Sequence, residues 1–165
     1  MRFRMFAVLA VLVCCVPAIS QAQMPEASPE HEVLKKDVGT WKAEMKMWMA
    51  PEMPAQEMAG EEVNRMVGDL WLVSDFKADF GGMPFEGHAI MGYNPEAKKY
   101  QGSWIDSMTP AAAHMEGEFD KESNTLTTIM EQPQPDGSMR KSKSTTVYDG
   151  DDKRVFNMFN LREGT

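Results

Sequence analysis

Apolar and polar residues alternate with a period of two along most of the chain from Gly39 onward. In the first run, apolar side chains occupy every second position: Trp41, Ala43, Met45, Met47 and Met49. Further runs with this period cover residues 70–80, 85–93, 100–108, 115–119, 125–131, 138–148 and 154–160. Such alternation is typical of β-strands with one buried face, and the Gly, Pro, Asn and Asp clusters between the runs predict turns.

Short strands at this spacing predict an all-β domain, an antiparallel up-and-down β-barrel covering residues 24–165. No linker, internal repeat or low-complexity block divides this stretch, so we expect a single domain. The last run leads into Leu161–Thr165, which resembles the start of another hairpin turn. A barrel that closes on its first strand needs one more strand, so the sequence predicts a barrel that is gapped or lacks its last strand.

One short helix is predicted before the first strand, over residues 29–38. Ser28 is a suitable N-cap, and Gly39 is a suitable residue to end the helix. Its buried stripe would consist of His31, Leu34 and Val38. A helix of this length is unstable alone, so it must pack against the barrel.

Residues 1–23 have the pattern of a secretory signal peptide. Arg2 and Arg4 precede the apolar run Phe6–Val16, and small residues near Ser20 and Ala22 suit a signal peptidase. The apolar run is much shorter than the roughly 20 residues that a membrane-spanning helix needs. We therefore expect a periplasmic or secreted protein with no integral membrane segment after the signal peptide is removed.

The composition of residues 24–165 excludes several classes of function. Both cysteines, Cys14 and Cys15, lie in the signal peptide, so thiol catalysis, disulfides and cysteine metal sites are not expected. The chain has a net charge of −8, which becomes more negative once Arg2 and Arg4 are removed. Such a surface repels nucleic acid, so we expect no nucleic-acid partner.

Several motifs together resemble a bacterial family of exported proteins known only as domain of unknown function fifteen seventy-nine. They are GMPFEG at 82–87, GYNPEAKKY at 92–100, WIDSM at 104–108, GEFDKESNTLT at 117–127, and the spacing of His31, Leu34, Gly39 and Trp41. The family is similar to calycin-like barrels, and Gly39-x-Trp41 resembles the G-x-W that opens lipocalin strands. The resemblance implies a lipocalin-like barrel and a further strand after the last one here, and it implies no activity.

A barrel of this size either fills its interior with side chains or leaves room for one small ligand. The predicted ligand-binding residues are those that alternation places inside: Trp41, Met45, Met47, Phe85, Met91, Tyr93, Trp104 and Asp106. We expect them to bind a small apolar or amphipathic molecule, without a cofactor. Asp106 shares its face with Trp104, where it would anchor a polar ligand group, cap a turn or pair with Arg65.

Two alternative functions remain open. Asp106 could serve as the acid or base of a cofactor-independent enzyme acting in the same pocket. The chain also contains 16 methionines, and Met45, Met47 and Met49 could bind Cu(I), which favours sulfur ligands. The histidines have no metal-ligand spacing, no catalytic triad is visible, and the cluster Arg140-Lys141-x-Lys143 is interpreted as a solvated strand face. The sequence therefore favours a binding protein over an enzyme and predicts no metal site.

We predict that the mature chain begins between Gln21 and Met24 and carries no lipid. The short apolar run followed by small residues favours cleavage there. N-terminal sequencing and intact-mass measurement of protein recovered from the periplasm or medium test this expectation. An intact Met1 or a diacylated cysteine would contradict it.

Overall fold

The computed structural model describes residues 26–50 and 52–161, so the predicted signal peptide lies outside the described residues. One short helix is followed by nine strands that form a single antiparallel sheet in chain order. The elements are α1 (His31–Lys35), β1 (Gly39–Met47), β2 (Gln56–Val67), β3 (Trp71–Asp79), β4 (Pro84–Asn94), β5 (Lys99–Asp106), β6 (Thr109–Asp120), β7 (Thr125–Pro133), β8 (Met139–Tyr148) and β9 (Arg154–Asn160).

The sheet is curled into a half-barrel. Each strand pairs with its sequence neighbours, and β1 and β9 are the two edges. No backbone pairing joins these edges within the described part of the chain. The predicted all-β, up-and-down, antiparallel fold with one short helix is thus confirmed, and the sheet is gapped between its first and last strands.

Strand β2 is absent from the runs identified in the sequence. Its inward positions include Gly60, Glu62 and Asn64, which interrupt the apolar alternation that marks the other strands. The pairing of β2 with β1 and β3 is nevertheless regular. The formation of β2 therefore depends on its pairing with β1 and β3, because its own apolar–polar pattern does not indicate a strand.

The helix is shorter than predicted, and Ser28 does not cap it. Glu30 occupies the N-cap position without a side-chain hydrogen bond, while the Ser28 hydroxyl lies 3.1 Å from Nδ1 of His31. His31 and Leu34 are buried as predicted. Val38 is 45% exposed, because the helix ends at Lys35 and the helical spacing no longer applies beyond it.

The core lies at one end of the half-barrel, where the helix covers the concave face. Val33 and Leu34 of the helix pack with strand residues that all lie near this end: Leu72, Tyr100, Leu126 and Tyr148. The hydroxyl of Tyr100 donates a hydrogen bond to the carbonyl of Glu30 at 2.8 Å, which fastens the helix to β5. We call this the helix end, and the opposite end of the strands the open end.

Replacing Leu34 by Ala should lower the free energy of unfolding by about 2–5 kcal/mol, since Leu34 is buried and its removal leaves a cavity in the core. Chemical denaturation measures this change. The matched variant Val38→Ala should stay within about 0.5 kcal/mol of wild type because Val38 is exposed. Equal effects of the two substitutions would contradict this placement of the helix.

Candidate functional site

Four aromatic side chains line the concave face towards the open end, on or next to β3, β4 and β5. This aromatic wall consists of Phe76, Phe80, Phe85 and Trp104. The ring centroid of Phe85 lies 4.7 Å from that of Phe80, 6.1 Å from that of Phe76 and 6.5 Å from that of Trp104. All four side chains are only partly buried, so the wall retains apolar surface that no other part of the described chain covers.

Two glycines let Trp104 and Phe76, two of the rings of the aromatic wall, pack closely against the neighbouring strand. A Cβ atom on Gly87 would lie 2.2 Å from Cζ2 of Trp104, and one on Gly60 would lie 2.8 Å from Cζ of Phe76. Both contacts are too short for any side chain, so each ring occupies the space above its glycine. Trp104 and Phe76 therefore occupy the space above glycines of the neighbouring strands.

Asp106 faces the same side as Trp104, as strand alternation predicted. The Trp104 indole Nε1 donates a hydrogen bond to Asp106 Oδ2 at 2.9 Å, and the backbone N–H of Met108 donates to Oδ1 at 2.9 Å. Arg65 lies on the outward side of β2 and forms no ion pair with Asp106. Of the structural roles considered for Asp106, the geometry fits the capping of the β5–β6 turn.

The other predicted ligand-binding residues are divided between two regions. Met91 and Tyr93 pack against the core at the helix end, where the Tyr93 ring contacts Tyr100 with centroids 5.1 Å apart. Met45 and Met47 lie on the inward side of β1, in the half of the strand towards the open end. Met49 lies beyond the end of β1 and is 66% exposed, so the methionine stripe is shorter than the sequence suggested.

Trp41, the last predicted site residue, joins a buried ion pair that the sequence did not reveal. Asp37, just after the helix, pairs with Arg154 at the start of β9, and these side chains are 9% and 15% exposed. Arg154 also pairs with Glu62 of β2 at 2.7 Å, and the hydroxyl of Tyr148 donates to Asp37 Oδ2 at 2.8 Å. Side chains from both edges of the sheet and from the helix therefore meet at one point.

The indole of Trp41 connects this ion pair to β1. Its Nε1 donates to the carbonyl of Asp37 at 2.7 Å, and the guanidinium carbon of Arg154 lies 4.7 Å from the ring centroid. A cation above an indole face is attracted by the ring's charge distribution. Trp41 thus stabilises the junction of β1 with β9, where no backbone hydrogen bonds connect the two strands.

Burial and the neighbouring opposite charges shift the pKa values of Asp37 and Arg154 in opposite directions. Burial raises the pKa of the Asp37 carboxyl, whereas the Arg154 charge and the Tyr148 hydrogen bond lower it. Desolvation lowers the pKa of Arg154, but Asp37 and Glu62 outweigh it, so the guanidinium remains charged. Burial and the nearby Asp37 raise the pKa of Tyr148 far above its usual range, so its hydroxyl stays a donor.

One sequence signal could have revealed part of this cluster. Arg154 has the same strand parity as Phe156 and Met158, so a β9 strand that turns these two apolar side chains inward also turns a charge inward. A charge facing inward near a packed core requires a partner of opposite sign. The sequence does not reveal which carboxylate that partner is, because Asp37 is 117 residues away in the chain.

Neither a metal centre nor a membrane helix is found in the part of the chain that the structure describes. Residues 26–50 and 52–161 contain no group of three or more His, Cys, Asp or Glu side chains positioned to hold a metal ion. Over the same residues, no helix has the length and apolar character required to cross a bilayer.

A curled antiparallel sheet with a covered end and a partly lined open end defines a barrel-like protein whose fold is compatible with binding a small molecule. The chain belongs to the family described as protein of unknown function (DUF1579), whose sequence profile matches residues 26–165. The family resemblance stated from the sequence motifs is thereby confirmed. No protein with a curated description matches the chain. A relationship to calycins and lipocalins stays a prediction.

Replacing Arg154 by Met should lower the free energy of unfolding by about 3–5 kcal/mol, because it leaves Asp37 buried without its counter-charge. Chemical denaturation measures the loss. The matched control is Lys153→Met on the preceding residue, whose ion pair with Asp149 is exposed. This control should leave the denaturation midpoint unchanged. Wild-type stability of the Arg154 variant would show that the buried pair does not hold the edges together.

Proposed function

We propose that this protein is exported and binds a small apolar or amphipathic molecule on the concave face, at the open end of the half-barrel. The observation that carries the proposal is the aromatic wall, whose rings remain partly exposed on an inward surface. Covering apolar surface of this kind with a ligand removes it from water, which favours binding. Export is supported by the predicted signal peptide at residues 1–23.

The opposite side of the concave face has a different character, which supports an amphipathic ligand. The inward positions of β7 and β8 carry the hydroxyl groups of Thr128, Ser142, Ser144 and Thr146. Thr128 and Ser142 are buried, so Ser144 and Thr146 are the two that remain partly exposed. Next to them, Phe156 and Met158 of β9 face inward and are 57% and 50% exposed. A molecule lying between the two sides would contact apolar rings on one and hydrogen-bonding groups on the other.

The two alternative functions receive less support from the geometry. Both carboxylate oxygens of Asp106 accept hydrogen bonds from its own hairpin, which favours a turn-capping role over acid–base catalysis. Met49 lies outside the strand that carries Met45 and Met47, so three sulfur ligands do not share one face. The enzyme and Cu(I) hypotheses stay predictions that no observation favours.

An apolar depression lies on the convex side of the sheet and must be distinguished from the proposed site on the concave face. It has a volume of about 240 Å³ and is lined by Trp71, Gly92, Tyr93, Asn94, Pro95 and Gln101. Trp71 lies over Gly92 on this side, much as Trp104 lies over Gly87 on the concave side. The two tryptophans therefore form a matched pair for testing where a ligand binds.

Replacing Trp104 by Leu should weaken binding of the neutral fluorescent probe N-phenyl-1-naphthylamine by about tenfold, equivalent to about 1.4 kcal/mol. The substitution removes most of one wall ring, whereas Trp71→Leu changes the same residue type on the convex side and should leave the affinity within about twofold of wild type. Fluorescence titration of the purified full chain measures both affinities.

Thermal melts of the two variants control for loss of folding. If Trp71→Leu weakens the probe and Trp104→Leu does not, the ligand site is the convex depression and the proposal is wrong. Absence of probe binding to the folded wild-type protein would also overturn it.

A further inference from the structure

Within the described residues, the charged side chains on the concave face are few, and of these only Glu62 and Arg154 are neutralised by an opposite charge. Among the described strand residues, the inward charges are Glu62, Asp106, Arg140 and Arg154. Glu62 and Arg154 form an ion pair, and Asp106 accepts hydrogen bonds from Trp104 and Met108. Arg140 alone faces this surface without a carboxylate partner in the described part of the chain.

Strand pairing separates Arg140 from the basic residues that follow it. Lys141 lies on the outward side of β8 and pairs with Glu131 at 2.6 Å. Lys143 also lies outward and is exposed. All three side chains are exposed, as the solvated interpretation expects, but they do not share one face, because Arg140 lies on the inward side of β8.

A buried glutamine holds the Arg140 guanidinium at the open end. Gln132 lies directly across from Arg140 on β7 and is only 1% exposed. Its Nε2 donates to the carbonyl of Ala111 at 3.3 Å, and its Oε1 accepts a hydrogen bond from Arg140 Nη2. A neutral amide fixes the position of the guanidinium without compensating its charge.

We propose that the natural ligand is an amphipathic acid whose apolar body lies on the aromatic wall and whose acidic group binds Arg140. This inference rests on the proposed function and adds the chemical class of the ligand. A guanidinium binds a carboxylate through paired, charge-assisted hydrogen bonds. Since the protein has a net charge of −8, an acid is repelled by most of its surface and is attracted where an inward cation lacks a counter-charge.

The test compares three competitors that share a twelve-carbon chain: dodecanoate, 1-dodecanol and dodecylamine. Each displaces N-phenyl-1-naphthylamine from the purified full chain below its micelle concentration. Wild type should bind dodecanoate about tenfold more tightly than 1-dodecanol, with dodecylamine weakest. Arg140→Gln should abolish the preference for the acid while leaving the affinity for 1-dodecanol unchanged.

Lys143→Gln is the matched control, because it removes the same charge from the outward side of the same strand. It should retain the preference for dodecanoate. If the probe binds and the three competitors displace it equally, or if Arg140→Gln keeps the preference, the inference is wrong while the proposed function stands. If the probe does not bind wild type at all, the proposed function fails as well.

Discussion

The buried ion pair between Asp37 and Arg154 is the interaction on which the rest of the half-barrel depends. It links the segment after the helix to the last strand, and Glu62 and Trp41 extend the link to the first two strands. The net stability gained from such a pair is small, but leaving either charge unpaired in the interior is costly. The pair therefore penalises any arrangement in which the two sheet edges separate at the helix end.

Joining the edges by side chains at one end divides the concave face into two regions. At the helix end, Leu34 and its neighbours fill the space between the strands with apolar side chains. At the open end, Trp104 and Phe76 lie over Gly87 and Gly60, and the rings of the aromatic wall remain partly exposed. Small barrels differ in whether side chains fill the interior or leave room for a ligand, and in this one the side chains fill the helix end.

Sequence alternation predicted most of the strands because each has one apolar face, and it placed Trp104 and Asp106 correctly on the same side. It did not predict β2, whose inward face carries Glu62 and Asn64, since those residues serve the buried polar cluster and not the apolar core. Alternation also did not predict the buried polar cluster of Asp37, Glu62 and Arg154. Its partners are separated by most of the chain, so only the closure of the sheet brings them together.

The two inward arginines show how one residue type takes different roles at the two ends of the fold. Arg154 is 15% exposed and forms ion pairs with two carboxylates, so its charge is compensated within the protein and its role is structural. Arg140 lies one strand away at the open end, where its partner is the amide of Gln132 and its charge is not compensated. Because distant sites without shared partners act independently, we expect substitutions of Arg140 at the open end not to loosen the junction that Arg154 forms at the helix end.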